Sequence, residues 1–145
     1  LKISVPGFSA SGVASGIKDT NKKDLGLIFS EEVATAVAVF TTNKIKAAPV
    51  LITSEKIKQK SCQAIIVNSG NANACTGTTG IRNANDICQS VADKLGISEK
   101  LVMVSSTGII GVNLPVDKIQ KAIPHLVKSL SPQGLNDFAE SILTT

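Results

Sequence analysis

The sequence predicts a mixed α/β domain of the α+β type. Three observations carry that reading. Short, apolar β-rich runs occur at residues 25–29, 33–40 and 63–68, with the residue types that suit a pleated, buried surface. Residues 81–95 repeat apolar side chains at three- and four-residue steps, the period of a helix with one buried face. Two buried runs end in clusters of small residues, at 68–77 and 105–111, before a helical segment begins, which is the pattern of a strand–loop–helix unit. The chain has 145 residues, of which 43% are hydrophobic, enough to enclose one core, so residues 1–145 are read as a single domain.

Taken in order, residues 25–29 and 33–40 predict two strands, both apolar enough to be buried on both faces, joined as a hairpin through Ser30-Glu31-Glu32. Residues 49–53 predict a third extended run, and Ser54 an N-cap for a short helix reaching Lys60. Residues 63–68 predict a central strand that stops at Ser69-Gly70. In the next helix Ile81, Ala84, Ile87, Cys88, Val91 and Leu95 share a face, and Gly96 closes it. Residues 101–105 predict a strand ending in a Ser106-Thr107-Gly108 turn. Pro115 opens a helix that turns Ile119, Ile123 and Leu126 inward, with Pro124 expected to kink or divide it. Ser131-Pro132 starts a last helix with Leu135, Phe138 and Ile142 on its buried side. That helix runs into Leu143-Thr144-Thr145 without a cap, as expected of one piece of a larger protein.

Composition narrows the function. The aliphatic content excludes disorder, and no apolar run approaches the roughly 18 residues of a membrane span. The net charge of +4 comes from lysine, Arg82 being the single arginine, and aromatics make up 3% of residues. Without arginine forks or stacking platforms the chain is expected to bind no nucleic acid. A mild positive field suits small acidic substrates. Three cysteines without a C-x-x-C pair, beside the single His125, make no zinc site. They read as reduced thiols, and with no visible signal peptide in residues 1–7 the expected compartment is the cytoplasm.

Reactive groups are sparse. Cys75 in its small-residue loop is a conceivable thiolate with His125 as base, but reads better as a packed residue, with His125 on a helix surface. Cys62 and Cys88 fall in core patterns. Asp19, Asp24, Glu31 and Glu32 stand beside lysines and read as a solvated rim. The segment Asn68-Ser69-Gly70-Asn71-Ala72-Asn73-Ala74-Cys75-Thr76-Gly77 supports two readings: an anion cradle ahead of the helix, or a turn whose Asn side chains bond the backbone. It lacks the Lys-Ser/Thr ending of a P-loop. The Thr107-Gly108 step can present a hydroxyl and a backbone N–H to an oxyanion, or merely end a strand.

At these loops the sequence resembles the N-terminal part of the ornithine acetyltransferases, the glutamate N-acetyltransferases of arginine biosynthesis. The resemblance rests on motifs in order along the chain: Gly7-Phe8 with Gly16-Ile17-Lys18, Val39-Phe40-Thr41-Thr42-Asn43, Ala47-Ala48-Pro49-Val50, the Asn68-to-Gly77 segment, Ser106-Thr107-Gly108-Ile109-Ile110-Gly111 with Leu114-Pro115, and Ile142-Leu143-Thr144-Thr145. It implies an enzyme that moves an acetyl group from N-acetylornithine to glutamate, in some members also from acetyl-CoA as co-substrate, with no other cofactor and no metal. It implies a precursor that cuts itself before a threonine, which becomes the nucleophile at the head of a companion beta chain. The implied fold is a four-layer αββα sandwich built from both chains and paired into an α2β2 heterotetramer. By matching motif, Thr107 and Gly108 are the oxyanion stabilisers, and Thr144 and Thr145 contact substrate. The Ala-Thr-Met-Leu cleavage motif and the Lys-Gly-Ser-Gly segment implied further along are not in these residues. The chain is therefore expected to be an alpha chain lacking its C-terminal end, inactive alone. A self-processing amidase or aminopeptidase, and a non-catalytic anion-binding module, are the other readings.

Overall fold

The computed structural model of the chain describes residues 3–18 and 21–144. In order these form β1 (Phe8–Val13), β2 (Leu25–Thr35), α1 (Ala48–Lys56), β3 (Ser61–Asn71), α2 (Gly77–Leu95), β4 (Val102–Ile109), α3 (Val116–Lys128) and α4 (Leu135–Ser141), with single 3-10 turns before β3 and β4. The predicted class, mixed α/β of the α+β type, is what is observed. The four strands form one sheet in the order β1-β2-β3-β4. β1–β2 and β2–β3 are antiparallel, and β3–β4 is parallel with α2 in the crossover, as a parallel pair requires.

The two sheet faces differ sharply. Leu25 and Leu27, Ala64 and Ile66, and Val102 and Val104 share one face and pack against Ile87, Cys88 and Val91 of α2 and Ile119, Ile123 and Leu126 of α3. Strand alternation sends the intervening residues to the other face. There α4 covers only one end, seated on Gly12 and Gly26. A Cβ at Gly12 would lie 2.0 Å from the Asp137 carbonyl oxygen, and one at Gly26 2.3 Å from Ser141 Oγ. The rest of that face, the cross-strand row Ile28–Ile65–Met103, lines an apolar groove of about 330 Å³ together with Phe8, Val37 and Cys62.

Several expectations change. β1 carries no strong β-former in its middle, Ser9-Ala10-Ser11-Gly12, and the sequence reading passed over it; its small residues are what let α4 approach. Residues 25–40 do not form a hairpin. Ser30-Glu31-Glu32 holds no residue at positive φ, so β2 runs straight through, absorbing the irregularity as a register shift against β3 between Phe29 and Ala34. Beyond Thr35 the chain leaves the sheet, and Val39, expected in a buried strand, is 99% exposed. Residues 49–53 are helical, because Pro49 sits in the first turn of α1, where its missing N–H costs nothing. Ser54 is not a cap but a helix residue whose Oγ donates back to the Leu51 carbonyl.

The central strand does not stop at Asn68: β3 continues to Asn71, and β4 continues past Ser105 to Ile109, because their C-terminal halves pair with each other. Pro124 lies inside an undivided α3; it is on the exposed side near the helix end, where one lost hydrogen bond is tolerated. Before α4, Ser131 is pinned to β1 by a reciprocal pair of 3.0 Å hydrogen bonds with Ala10, so the helix begins only at Leu135 and ends at Ser141, leaving Ile142 exposed rather than buried. Among the described residues no helix is long and apolar enough to cross a membrane.

Candidate functional site

The parallel strands β3 and β4 bring the two small-residue segments side by side. Asn68 pairs with Ser106, Ser69 with Thr107, Gly70 with Gly108 and Asn71 with Ile109. The carboxyl ends of parallel strands are where an open α/β sheet leaves a crevice. Here a cleft of about 820 Å³ opens, lined by Gly70, Gly108 and Ile109 from the strands, Ile17, Lys18, Lys22 and Lys23 from the β1–β2 connection, and Glu140, Leu143 and Thr144 from the end of α4 and beyond.

Gly108 is held in a conformation only glycine adopts freely, φ +133°. A Cβ there would sit 2.3 Å from the Gly70 carbonyl carbon and 2.5 Å from the Asn71 nitrogen. Backbone thus lies directly on backbone, and the cleft floor is formed of peptide groups. In a parallel strand alternate residues aim both N–H and C=O to the same side. Ile109 accepts from Ala72 N at 2.9 Å on the β3 side. Val104 faces the outer edge, where Thr53 Oγ1 receives its N–H at 3.1 Å and donates to its carbonyl at 2.7 Å. Gly108 has the parity of Val104, so its N–H points off the free edge of the sheet. Thr107 has the opposite parity: its backbone turns towards β3, leaving its side-chain hydroxyl as the group it can offer. Thr107 is half-buried and, lying on the other face from Gly108, does not line the cleft.

Of the four residues assigned from the sequence, Gly108 and Thr144 therefore share one cleft and Thr107 adjoins it from behind. Thr145 lies outside the described residues. Gly70, Ile17 and Lys18 all sit in the motifs that carry the resemblance, the Asn68-to-Gly77 segment being expected to shape this pocket as a whole, but no individual role for the three follows from the sequence. Gly70, at φ +99°, has no side chain because Ile17 crosses it: a Cβ would be 2.9 Å from Ile17 Cγ2 and 3.2 Å from Lys18 Cγ.

The asparagine segment resolves into its structural alternative. Asn68 Nδ2 donates to the Asn71 carbonyl at 2.8 Å, and its Oδ1 accepts from Ser106 Oγ at 2.6 Å. Asn71 Oδ1 accepts from Asn73 N at 2.8 Å while its Nδ2 reaches the Val112 carbonyl at 3.1 Å. Asn73 Nδ2 donates to the Gly80 carbonyl at 2.9 Å, and its Oδ1 accepts from Thr76 Oγ1 at 2.9 Å. All three are buried, and their amides are spent on holding β3, β4 and the start of α2 together rather than on an anion.

Charge at the cleft is set by three lysines and Glu140. Lys23 pairs with Asp137 at 2.7 Å and Glu140 at 2.8 Å, and these carboxylates, against a smaller desolvation effect, hold its ammonium above the ordinary lysine pKa. Lys18 and Lys22 leave the cleft cationic, a field suited to a carboxylate-bearing substrate. Asp24 is no rim residue: it is 0% exposed, its carboxylate accepting the N–H of Ser15 at 2.6 Å and of Lys18 at 3.0 Å. Glu31 and Glu32 are exposed, as expected, and Asp19 is outside the described residues. Cys75, expected to be packed, is exposed in a left-handed conformation, whereas Cys62 and Cys88 are buried. Burial pushes both of their thiols up. His125 is exposed on α3. Among the described residues no group of three His, Cys, Asp or Glu side chains gathers as a metal site.

Comparison with known proteins agrees with this fold. A sequence model of the ArgJ family matches residues 9–145. The arginine biosynthesis bifunctional protein ArgJ of Caldanaerobacter subterraneus subsp. tengcongensis is 53% identical over 145 residues, covering 99% of this chain and 36% of that protein. The corresponding protein of Syntrophotalea carbinolica is 49% identical over 143 residues, again across 36% of its length. The chain thus spans about a third of the curated relatives it matches. Among solved structures, ArgJ of Bacillus halodurans superposes with a TM-score of 0.92 at 43% identity, covering 99% of this chain and 77% of that one. Ornithine acetyltransferase of Mycobacterium tuberculosis, in complex with ornithine, superposes with a TM-score of 0.93 at 40% identity over 97% of this chain and 77% of that one. Fold, motif order and a match along nearly the whole chain lead to one conclusion: this chain belongs to the ArgJ family.

Proposed function

We propose that this chain is the N-terminal, alpha-chain part of an acetyltransferase that moves an acetyl group from N-acetylornithine to glutamate in the cytoplasm, within an α2β2 heterotetramer formed with a beta chain cut from the same precursor. Acetyl-CoA is a second candidate donor. The observation that carries the reading is that Gly108, packed peptide on peptide against Gly70, lines the same cleft as Thr144.

In this reading the threonine at the head of the companion chain attacks the acetyl carbonyl carbon of N-acetylornithine. The C–N bond breaks, and ornithine leaves with the proton taken from the threonine hydroxyl, relayed by that residue's own amine. The amine of glutamate then attacks the acetyl-threonine ester, the C–O bond breaks, and the threonine recovers its proton. Both steps place negative charge on the same acetyl oxygen. In this reading the donors for that oxygen are the Gly108 N–H and the hydroxyl of the neighbouring Thr107 on the paired end of β4, the hydroxyl meeting the acetyl group from the face behind the cleft, where the remainder of the protein packs. Each donor of this kind is worth roughly 10²–10³ in rate. Thr144 contacts the bound amino acid, and the lysines favour its carboxylate. Transfer rather than hydrolysis requires that water be kept out, which the cleft, open along one side here, achieves only when the remainder of the protein covers it.

Denaturing mass spectrometry and N-terminal sequencing of the purified full-length protein test this directly. Two chains are expected, the second beginning with threonine and gaining an acetyl group on incubation with N-acetylornithine. An uncut polypeptide, or residues 1–145 turning over N-acetylornithine unaided, would overturn it.

A further inference from the structure

We propose that Lys18 is a positioning residue that sets Thr144 against the cleft floor, acting through the backbone just before it; this rests on the reading of Thr144 as a substrate contact. The side chain of Lys18 crosses the cleft rather than simply rimming it. Its Nζ donates to the carbonyl of Leu143, and more weakly to that of Lys23 at 3.4 Å. Leu143 immediately precedes Thr144. α4 has already ended at Ser141, and residues 142–144 are exposed. Their backbone is also tied to the last turn of α4, where the Glu140 carbonyl accepts the N–H of Ile142 and, at 3.3 Å, that of Leu143. The Lys18 ammonium ties the segment that carries Thr144 across the cleft to the β1–β2 connection, which those bonds at the helix end do not do.

Lys18 can serve as a fixed post because it is itself held at its base. Its N–H is gripped at 3.0 Å by Asp24, which also takes the N–H of Ser15. Asp24 is anchored in turn through its own backbone, its N–H donating to Val13 of β1 at 3.0 Å and its carbonyl accepting from Ser69 of β3 at 2.8 Å. The Lys18 stem lies over Gly70, where any side chain would displace it. A buried carboxylate, a bare glycine and a lysine thus link the sheet that presents Gly108 to the segment that presents Thr144. An error of about 1 Å in such a placement is enough to cost on the order of 10²-fold in turnover.

The test is a double-mutant cycle in the full-length protein, with KM and kcat measured separately for N-acetylornithine and glutamate. Thr144→Val and Lys18→Met are each expected to raise KM roughly tenfold or more, and the double variant to be no worse than the poorer single one, as when one residue works through the other. Lys18→Arg, which keeps a donor on a long stem, is expected to restore most of the loss, while Lys18→Gln, too short to reach Leu143, is not. That pair decides the matter even if the methionine variant folds poorly. Losses that multiply in the double variant would mean that Lys18 binds substrate itself or acts on general stability, and would overturn the proposal. A damaging Thr144→Val with a silent Lys18→Met would overturn the positioning role alone. A silent Thr144→Val would remove the substrate-contact reading and the proposal with it.

Discussion

Gly108 and Asn73 show how much of the site is decided by single residues. At Gly108 any side chain meets the Gly70 peptide at 2.3 Å, in a backbone conformation of φ +133°. Gly108→Ala should push the end of β4 off β3 and swing the edge N–H away. We expect a fall in acetyl transfer of roughly 10²–10³, the value of one oxyanion donor, measured as kcat in the full-length protein. Gly111→Ala is the matched control: it also has a positive φ, +80°, but a Cβ there meets nothing within 4 Å, so strain without displacement should leave most of the rate. Asn73 is 0% exposed and adopts φ +47°, a conformation asparagine tolerates better than most residues. Asn73→Ala leaves the Gly80 carbonyl and the Thr76 hydroxyl short of partners. It should cost about 2–3 kcal/mol, read as a lower urea midpoint. The motif order made both residues visible in the sequence, and their neighbourhood was hidden. The local pattern left Asn68, Asn71 and Asn73 open between an anion cradle and a turn whose amides bond the backbone, and the buried partners decide for the second. Asp24 looked like one more charge beside lysines until burial showed it holding a turn.

The helices with a clean 3.6-residue period, α2 and α3, were legible because their apolar faces were their own evidence. The elements that failed were those whose form is imposed by neighbours. β1 reads as a loop until β2 and α4 are placed on it, and β2 reads as a hairpin until β3 is seen to pair along almost its whole length. α4 is the sensitive case, a seven-residue helix too short to be stable alone and held by contact with two glycines. Gly12→Ala places a methyl 2.0 Å from the Asp137 carbonyl oxygen. It should lift α4 from the sheet, destabilising the protein by about 1–3 kcal/mol, with a matching drop in melting temperature. The second tether is electrostatic. Lys23, charged more firmly than an ordinary lysine by Asp137 and Glu140, ties α4 to the start of β2. Because its folded pKa is raised, that contribution is complete below the ordinary lysine range and is lost as pH climbs through the raised value. Its partners are exposed and salt screens them, so the effect is small. A loss of stability near neutral pH on adding salt alone, larger than that from Gly12→Ala, would show this ranking to be wrong.

Taken whole, the chain is a sheet with one finished face and one unfinished face. Ile65, in the middle of β3, is 38% exposed, and with half-buried Ile28 and buried Met103 it lines an apolar groove that α4 does not reach. Contiguous apolar surface of this kind on a sheet marks a packing partner, and a second sheet laid face to face is the partner such a surface fits. The low charged fraction of 18% already pointed this way. The shape of the bare patch did not follow from the sequence, because strand alternation assigns faces only after the register of all four strands is known. If the open face receives the remainder of the protein, a charge placed in its centre should block assembly without disturbing the finished side. Ile65→Asp is expected to abolish recovery of acetyl transfer when residues 1–145 are co-expressed with the rest of the polypeptide. The finished core lies on the opposite face, so the thermal transition of residues 1–145, where they fold alone, should stay within a few degrees of the parent. Glu31→Gln, on the exposed stretch of β2 away from the apolar row, should change neither. Assembly that tolerates aspartate at Ile65 would mean that the apolar row faces something other than the missing chain, and the two-sheet arrangement would have to be abandoned.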